Sequence, residues 1–223
     1  MQKFATPAAI AAILAVPAGR IRFVAAERTE TTVEIRPVDT SKGRDVKAAE
    51  QTTVTYADGV LRIEAPEAAN RVLGDSGSVE VTVQLPAGSR IEAKTAAAEL
   101  RGVGRLGDIA FEGAYREIRI DEAASLRLTA TDGDIEVGRL GGPAEISTAR
   151  GDIRIGEAMS GTVVLRTQAG EISVAAAPGV SASLDAGTSF GRVHNTLRNA
   201  EGATAGLNIH ATTAYGDITA RSL

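Results

Sequence analysis

A three-residue phrase, Gly-Asp-Ile or a near copy, recurs through the second half of this chain. It stands at Gly107-Asp108-Ile109, Gly133-Asp134-Ile135, Gly151-Asp152-Ile153, Gly170-Glu171-Ile172, Gly191-Arg192-Val193 and Gly216-Asp217-Ile218. The middle residues 134, 152, 171, 192 and 217 are separated by 18, 19, 21 and 25 positions. A degenerate copy, Tyr115-Arg116-Glu117-Ile118, places Glu117 17 residues before Asp134. The period is therefore about 18 residues and lengthens toward the end as surface loops grow, which is the mark of a repeat architecture.

Each period holds two short alternating strands. Ala144–Ala149 runs into Arg150-Gly151-Asp152, and Ile153-Arg154-Ile155 leaves it. One such unit has no means of burying its own apolar side chains. Units stacked about 4.8 Å apart, with their Ile and Val layers in register, build a continuous interior. That is a β-solenoid. In this reading the Gly takes the φ > 0 corner, the Asp accepts a backbone N–H within its turn, and the Ile or Val enters the core. The core is aliphatic, because Trp is absent and aromatic residues make up only 3% of the 223 residues.

The first half alternates too, at Ile21–Phe23, Val33–Arg36, Val54–Tyr56, Leu61–Glu64 and Val79–Leu85. Asp58-Gly59 between two alternating runs predicts a hairpin. Asp39–Asp45 and Asn70–Ser78 read as polar loops, and Val46–Gln51 as a short helical turn. The predicted fold is all-β: a parallel β-solenoid over residues 89–223, with an N-terminal β region, residues 1–88, capping one end. A pair of packed β-sandwiches is the alternative architecture.

Several segments carry a family resemblance. They are Thr6-Pro7, Pro17-Ala18-Gly19, Ala48-Ala49-Glu50-Gln51, the run Ser78–Ser89, Thr188–Val193 and the closing Ala214–Arg221. Together they resemble a bacterial β-strand-repeat family with Gly-Asp repeats, labelled "putative adhesin", and its actinobacterial members most of all. The resemblance covers essentially the whole chain. It implies a solenoid of parallel strands and supplies no catalytic residues. Members that begin with the same Thr-Pro strand imply a protein that is not secreted.

The remaining features mostly exclude. A net charge of -4 argues against a nucleic-acid partner. The chain has no cysteine and only two histidines, His194 and His210, which read as exposed strand or loop residues. No metal, cofactor or catalytic residue is assigned. Asp108, Asp134, Asp152 and Asp217 form a possible ion row, yet the closely spaced Gly-Gly-x-Gly-x-Asp copies of a calcium roll are missing and Arg192 would stand in that row. They read as turn-capping acids.

For a polysaccharide-acting enzyme, the candidate acid pairs are Glu112 with Glu117 and Asp121 with Glu122. Outward charge on alternating strands is the simpler account. Arg119, Arg127 and Arg154 are expected to pair with Glu136 and Glu145, and Phe190 and Tyr215 to stack as a ladder. The expected function is a non-enzymatic scaffold or binding protein whose outer face meets a protein or glycan, with a carbohydrate-active β-helix enzyme as the alternative. The chain stops at Ser222-Leu223 directly after a repeat phrase, which predicts self-association through the C-terminal coil. Ala8–Val16 followed by Pro17-Ala18-Gly19 has signal-peptide character, but its basic region is a single Lys3. A first strand in a cytoplasmic protein is the expectation, with export as the alternative if residues 1–18 are a signal. No segment reaches the roughly 20 apolar residues of a membrane span.

Overall fold

The computed structural model describes residues 1–65, 77–113, 117–200 and 202–223. The loop expected at Asn70–Ser78 and the degenerate phrase at Tyr115-Arg116 lie largely outside the described residues. Among the described residues, nineteen strands form one hydrogen-bonded system, most of it parallel. In chain order they begin with β1 (Gln2–Ala5), β2 (Ala11–Ala15), β3 (Ala18–Ala26) and β4 (Glu30–Pro37), followed by a helix α1 (Gly43–Gln51). Then come β5 (Thr53–Ala57), β6 (Val60–Glu64), β7 (Val79–Pro86), β8 (Arg90–Lys94), β9 (Ala97–Glu112), β10 (Ile118–Thr129) and β11 (Ile135–Leu140). The rest are β12 (Ala144–Arg150), β13 (Ile153–Ala158), β14 (Gly161–Ala169), β15 (Ile172–Ala176), β16 (Ala182–Phe190), β17 (Val193–Thr196), β18 (Leu207–Tyr215) and β19 (Ile218–Ser222).

The strands fall into two layers around one core, aliphatic apart from the buried Phe23 and Phe111. Layer A runs β5-β6-β2-β8, then the second half of β9, the second half of β10, β12, β14, β18 and β16. Layer B runs β1-β4-β7-β3, then the first halves of β9 and β10, β11, β13, β15, β19 and β17. The chain passes from one layer to the other in each coil, which is the expected solenoid. Ile118, Ile135, Ile153, Ile172 and Ile218 stand in register, each 1% exposed or less. The alternating partners Arg119, Glu136, Arg154, Ser173 and Thr219 face out.

The corners show why the phrase repeats. A Cβ placed on Gly151 would lie 2.2 Å from the Gly133 carbonyl oxygen, and one on Gly170 only 2.0 Å from that of Gly151. Both glycines also hold positive φ, 126° and 158°. Successive turns therefore meet backbone to backbone, and any side chain at the corner would force the coils apart. The acid does not cap its own turn as expected. It reaches the next one: Asp134 accepts the Asp152 N–H, Asp152 the Glu171 N–H, and Asp217 the Arg192 N–H, each at 2.8 Å. A threonine three residues before the glycine adds a second staple. Thr167, Thr213 and Thr188 donate to the carbonyls of Gly151, Gly170 and Gly216 at 3.0–3.1 Å.

Three expectations need correction. Gly107-Asp108-Ile109 is out of phase with the other phrases, because Ile109 pairs with Ile91 and Leu126 in layer A. The helix is longer than the expected turn, starting at Gly43 and so absorbing part of the predicted Asp39–Asp45 loop. Most consequential, the C-terminal strands are not the last coil. β18 lies between β14 and β16, and β19 between β15 and β17, so the outermost coil is β16–β17. The longer spacings, 21 and 25, arise because the chain skips one coil position and then returns to fill it. The same exchange occurs at the other end, where β2 sits between β6 and β8, and β3 between β7 and β9.

At that N-terminal end the apolar core is covered, although the outermost strands β1 and β5 each have one strand partner. The antiparallel β1-β4-β7 edge, the β5–β6 hairpin and α1 cover it. Asp58 and Gly59 both adopt positive φ, 51° and 76°, as a type I′ hairpin requires. Phe4 and Tyr56 pack 5.4 Å apart, and the buried Asp45 of α1 accepts the Ser78 N–H at 2.9 Å. Substituting Gly170→Ala is expected to lower unfolding free energy by at least about 2 kcal/mol, through forced coil separation. Ile153→Ala, at a fully buried position, is expected to cost roughly 2–5 kcal/mol. Urea denaturation of both variants against wild type tests the two figures.

Candidate binding face

Period-two alternation sends every second side chain of layer A outward, and parallel register aligns these into rows across the coils. The central row reads Ile13, Glu92, Ala110, Arg127, Glu145, Val164, His210, Asp185. Beside it run Ala11, Arg90, Asp108 and Ser125 on one flank, and Ala15 and Lys94 beside Glu112 and Thr129 on the other. An open groove of about 700 Å³ follows these rows across β2, β8, β9, β10, β12 and β14. The half-buried Ile13, Ala110 and Val164 supply its apolar floor. A second hollow of about 230 Å³ lies alongside and shares Glu92, Ala110 and Arg127 with the first.

Most charges on this face neutralise their neighbours. Arg90 pairs with Asp108 at 3.3 Å, and Asp108 also accepts the Ser125 hydroxyl at 2.7 Å. Lys94 pairs with Glu112 at 2.9 Å; that hydrogen bond, and then the charges of Glu112 and Glu92, hold the Lys94 ammonium above its ordinary pKa. Glu145 pairs with Arg166 at 3.4 Å, not with Arg127 as expected. Arg127 therefore has no ion pair among the described residues, although it stands where the two hollows meet. These exposed pairs contribute only about 0–1 kcal/mol each, so the face is cheap to rearrange around a ligand.

The other singled-out residues are dispersed. Arg119 pairs with Glu136 at 3.0 Å and with Glu117 at 2.5 Å, whereas Arg154 turns to Asp152 at 2.6 Å instead of Glu136 or Glu145. Glu112 closes the layer-A half of β9, and Glu117 precedes the layer-B half of β10. Asp121 is held by Arg101 at 3.0 Å and by the Gly104 N–H at 3.3 Å. Neither candidate acid pair converges in a groove.

His194 and His210 are exposed on strands, and His210 meets Asp185 at 3.3 Å. Phe190 and Tyr215 stack with centroids 5.0 Å apart and planes within 4°. The acids Asp134, Asp152 and Asp217 are committed to neighbouring turns, and no cluster of three or more metal-ligating side chains occurs among the described residues. Sequence reasoning missed the groove itself. Its available signal was Ile13 and Val164, apolar residues in the outward phase of their strands.

The family model described as Toastrack DUF4097 matches residues 20–222. Among curated proteins, none matches the chain. The solved structures it resembles include a "putative cell adhesion protein" from Clostridium sporogenes, at 13% identity and a TM-score of 0.42, covering 100% of this chain and 98% of that one. Another is a "putative adhesin" from Bacteroides fragilis, at 11% identity and a TM-score of 0.35, with 98% and 95% covered. A third, a "putative adhesin" from Parabacteroides merdae, shows 12% identity and a TM-score of 0.35, with 100% and 93% covered.

The corner acids allow a direct test. Asp152→Ala is expected to lower stability by about 1–2 kcal/mol, since it removes the bond from the Glu171 N–H and the exposed pair with Arg154 at a partly exposed corner. Millimolar calcium is expected to leave the melting temperature of wild type unchanged. Thermal unfolding with and without calcium reads both outcomes.

Proposed function

The chain belongs to the Toastrack DUF4097 family, and on that scaffold we propose a non-enzymatic, adhesin-like binding role exercised through the groove of layer A. The observation that supports it most is the position of Arg127: a guanidinium without an ion pair among the described residues, at the junction of two hollows, above an apolar floor. A ligand lying along the groove covers Ile13, Ala110 and Val164 while its polar groups meet Arg127 and the paired charges of the walls. The ligand class is an extended protein segment or a glycan, since both match a groove that crosses six strands. The carbohydrate-active reading needs a convergent acid pair; the dispersion and pairing of Glu112, Glu117 and Asp121 weigh against it.

The apolar run of residues 8–16 supplies β2, whose Ala12 and Leu14 are 1% exposed between β6 and β8. Cleavage after residue 18 would remove a strand paired on both sides. This supports the reading that the run stays in the mature protein, and with it a cytoplasmic location. N-terminal sequencing of the protein recovered from fractionated native cells is expected to find residues 1–18 intact in the cytoplasmic fraction.

The binding role is tested by capture from native cell extract and on a glycan array. Arg127→Glu and Val164→Asp are expected to reduce binding at least about 10-fold, as loss of central contacts does. Arg154→Glu, on layer B, is expected to leave it unchanged. Equal binding by all four proteins would remove the groove from the function.

A further inference from the structure

The two ends of the stack are treated differently. The N-terminal end carries a hairpin, an antiparallel edge and a helix. At the other end the outermost coil, β16–β17, is paired on one side only, β16 with β18 and β17 with β19. Its inward-facing positions are consequently open beyond Ala182, which stays 1% exposed beside the Arg198 segment. Val193 is 44% exposed, while Ile218, its partner one coil in, is 1% exposed. Leu184 is only half-buried, while its partner Ile209 is 1% exposed.

Beyond Ala182 the backbone of this coil is also unspent. The Leu207 N–H donates to the Ser181 carbonyl, whereas the Ala182 N–H turns away from β18, to Arg198 at 3.0 Å. Alternation along a parallel strand then points the N–H groups of Leu184, Ala186 and Thr188 toward the open side. Edge strands are ordinarily protected by lysine, proline or a covering element. β16 and β17 contain neither Lys nor Pro, and Asp185 is their single formal charge. Phe190, 66% exposed, caps the Tyr215 ring and leaves its own outer face uncovered at ladder spacing.

We propose that two copies of this chain associate end to end through β16 and β17. The occupant is a second copy because of the shape of the edge. Two strand edges are offered together, one per layer and about 10 Å apart, and the same end of another molecule presents edges of that spacing. A single peptide strand satisfies one edge and leaves the other bare. A two-fold axis across the end brings identical edges together antiparallel. With the pairing centred on Ala186, Asp185 faces Gly187 of the second copy, Ser183 faces Ser189 and Leu184 faces Thr188, so no like charges meet. The Ala182 N–H is already taken by Arg198, so the contact runs from Ser183 to Ser189, about 23 Å of strand, on two layers, below the ~800 Å² per partner of a standard interface. Association is therefore weak and visible only at high concentration.

Sedimentation and light scattering of the full chain from about 5 µM to about 500 µM test this. Wild type is expected to move from monomer toward dimer mass across the series. Ala186→Pro removes an N–H that serves only the open side, and proline is tolerated on such edges. Val193→Lys places a charge in the end layer, where the two-fold repeats it. Both variants are expected to keep the wild-type circular dichroism and to stay monomeric at the highest concentration. If Ala186→Pro unfolds, Val193→Lys decides alone. Wild type that remains monomeric throughout, or folded variants that dimerise as wild type does, would overturn the proposal.

Discussion

Adjacent coils touch backbone to backbone at the Gly corners, and the rest of the molecule depends on that contact. With a Cβ at Gly170 only 2.0 Å from the Gly151 carbonyl oxygen, the corner admits hydrogen alone. Once the turns sit this close, the carbonyl of one meets the threonine hydroxyl of its neighbour, and the N–H of one meets the carboxylate of another. Those staples hold each strand at a common starting point. The Ile layers then superpose from Ile118 to Ile218 without slippage, and the outward rows superpose with them. A register shift of one residue would exchange core and surface along every strand.

The order of coils carries a second physical message. The first coil of the chain, β2–β3, and the last, β18–β19, each lie between two other coils. Those two coils are thereby hydrogen-bonded on both sides, where an outermost coil would fray. The exchange leaves other coils outermost. At one end that coil is covered by α1 and the β5–β6 hairpin; at the other β16–β17 stands open. The asymmetry between the ends follows from where the chain spends its extra segments.

The outward rows of layer A show how a structural repeat becomes a surface. Oppositely charged residues one coil apart, such as Arg90 with Asp108 and Lys94 with Glu112, arise because register sets equivalent positions side by side. Such a face is nearly neutral and holds little energy. What distinguishes one part of it is the break in the pattern, where Ile13, Ala110 and Val164 replace charge and Arg127 has no ion pair among the described residues. Function on a solenoid is expected at breaks of this kind, since the regular rows are occupied with one another.

Much of the architecture was legible in residue order, because it rests on local chemistry. The period of the Gly-Asp-Ile phrase, the alternation around it and Asp58-Gly59 together specify short parallel strands, apolar layers and one hairpin. The exposed Phe190–Tyr215 stack is likewise legible from matching repeat positions. Several features were not, for a common reason: they depend on which coil lies next to which. Asp152 pairs with a neighbouring turn, Arg127 is passed over by Glu145 in favour of Arg166, and Thr167 bonds to a corner in another coil. Residue order alone made the C-terminal phrase look like the last coil, although β18–β19 fills a place inside the stack. Local periodicity determines the coil, and it is identical for every coil. Only the tertiary packing, which weighs the unpaired edges at both ends of the stack, decided the order of the coils and so which surface was left open.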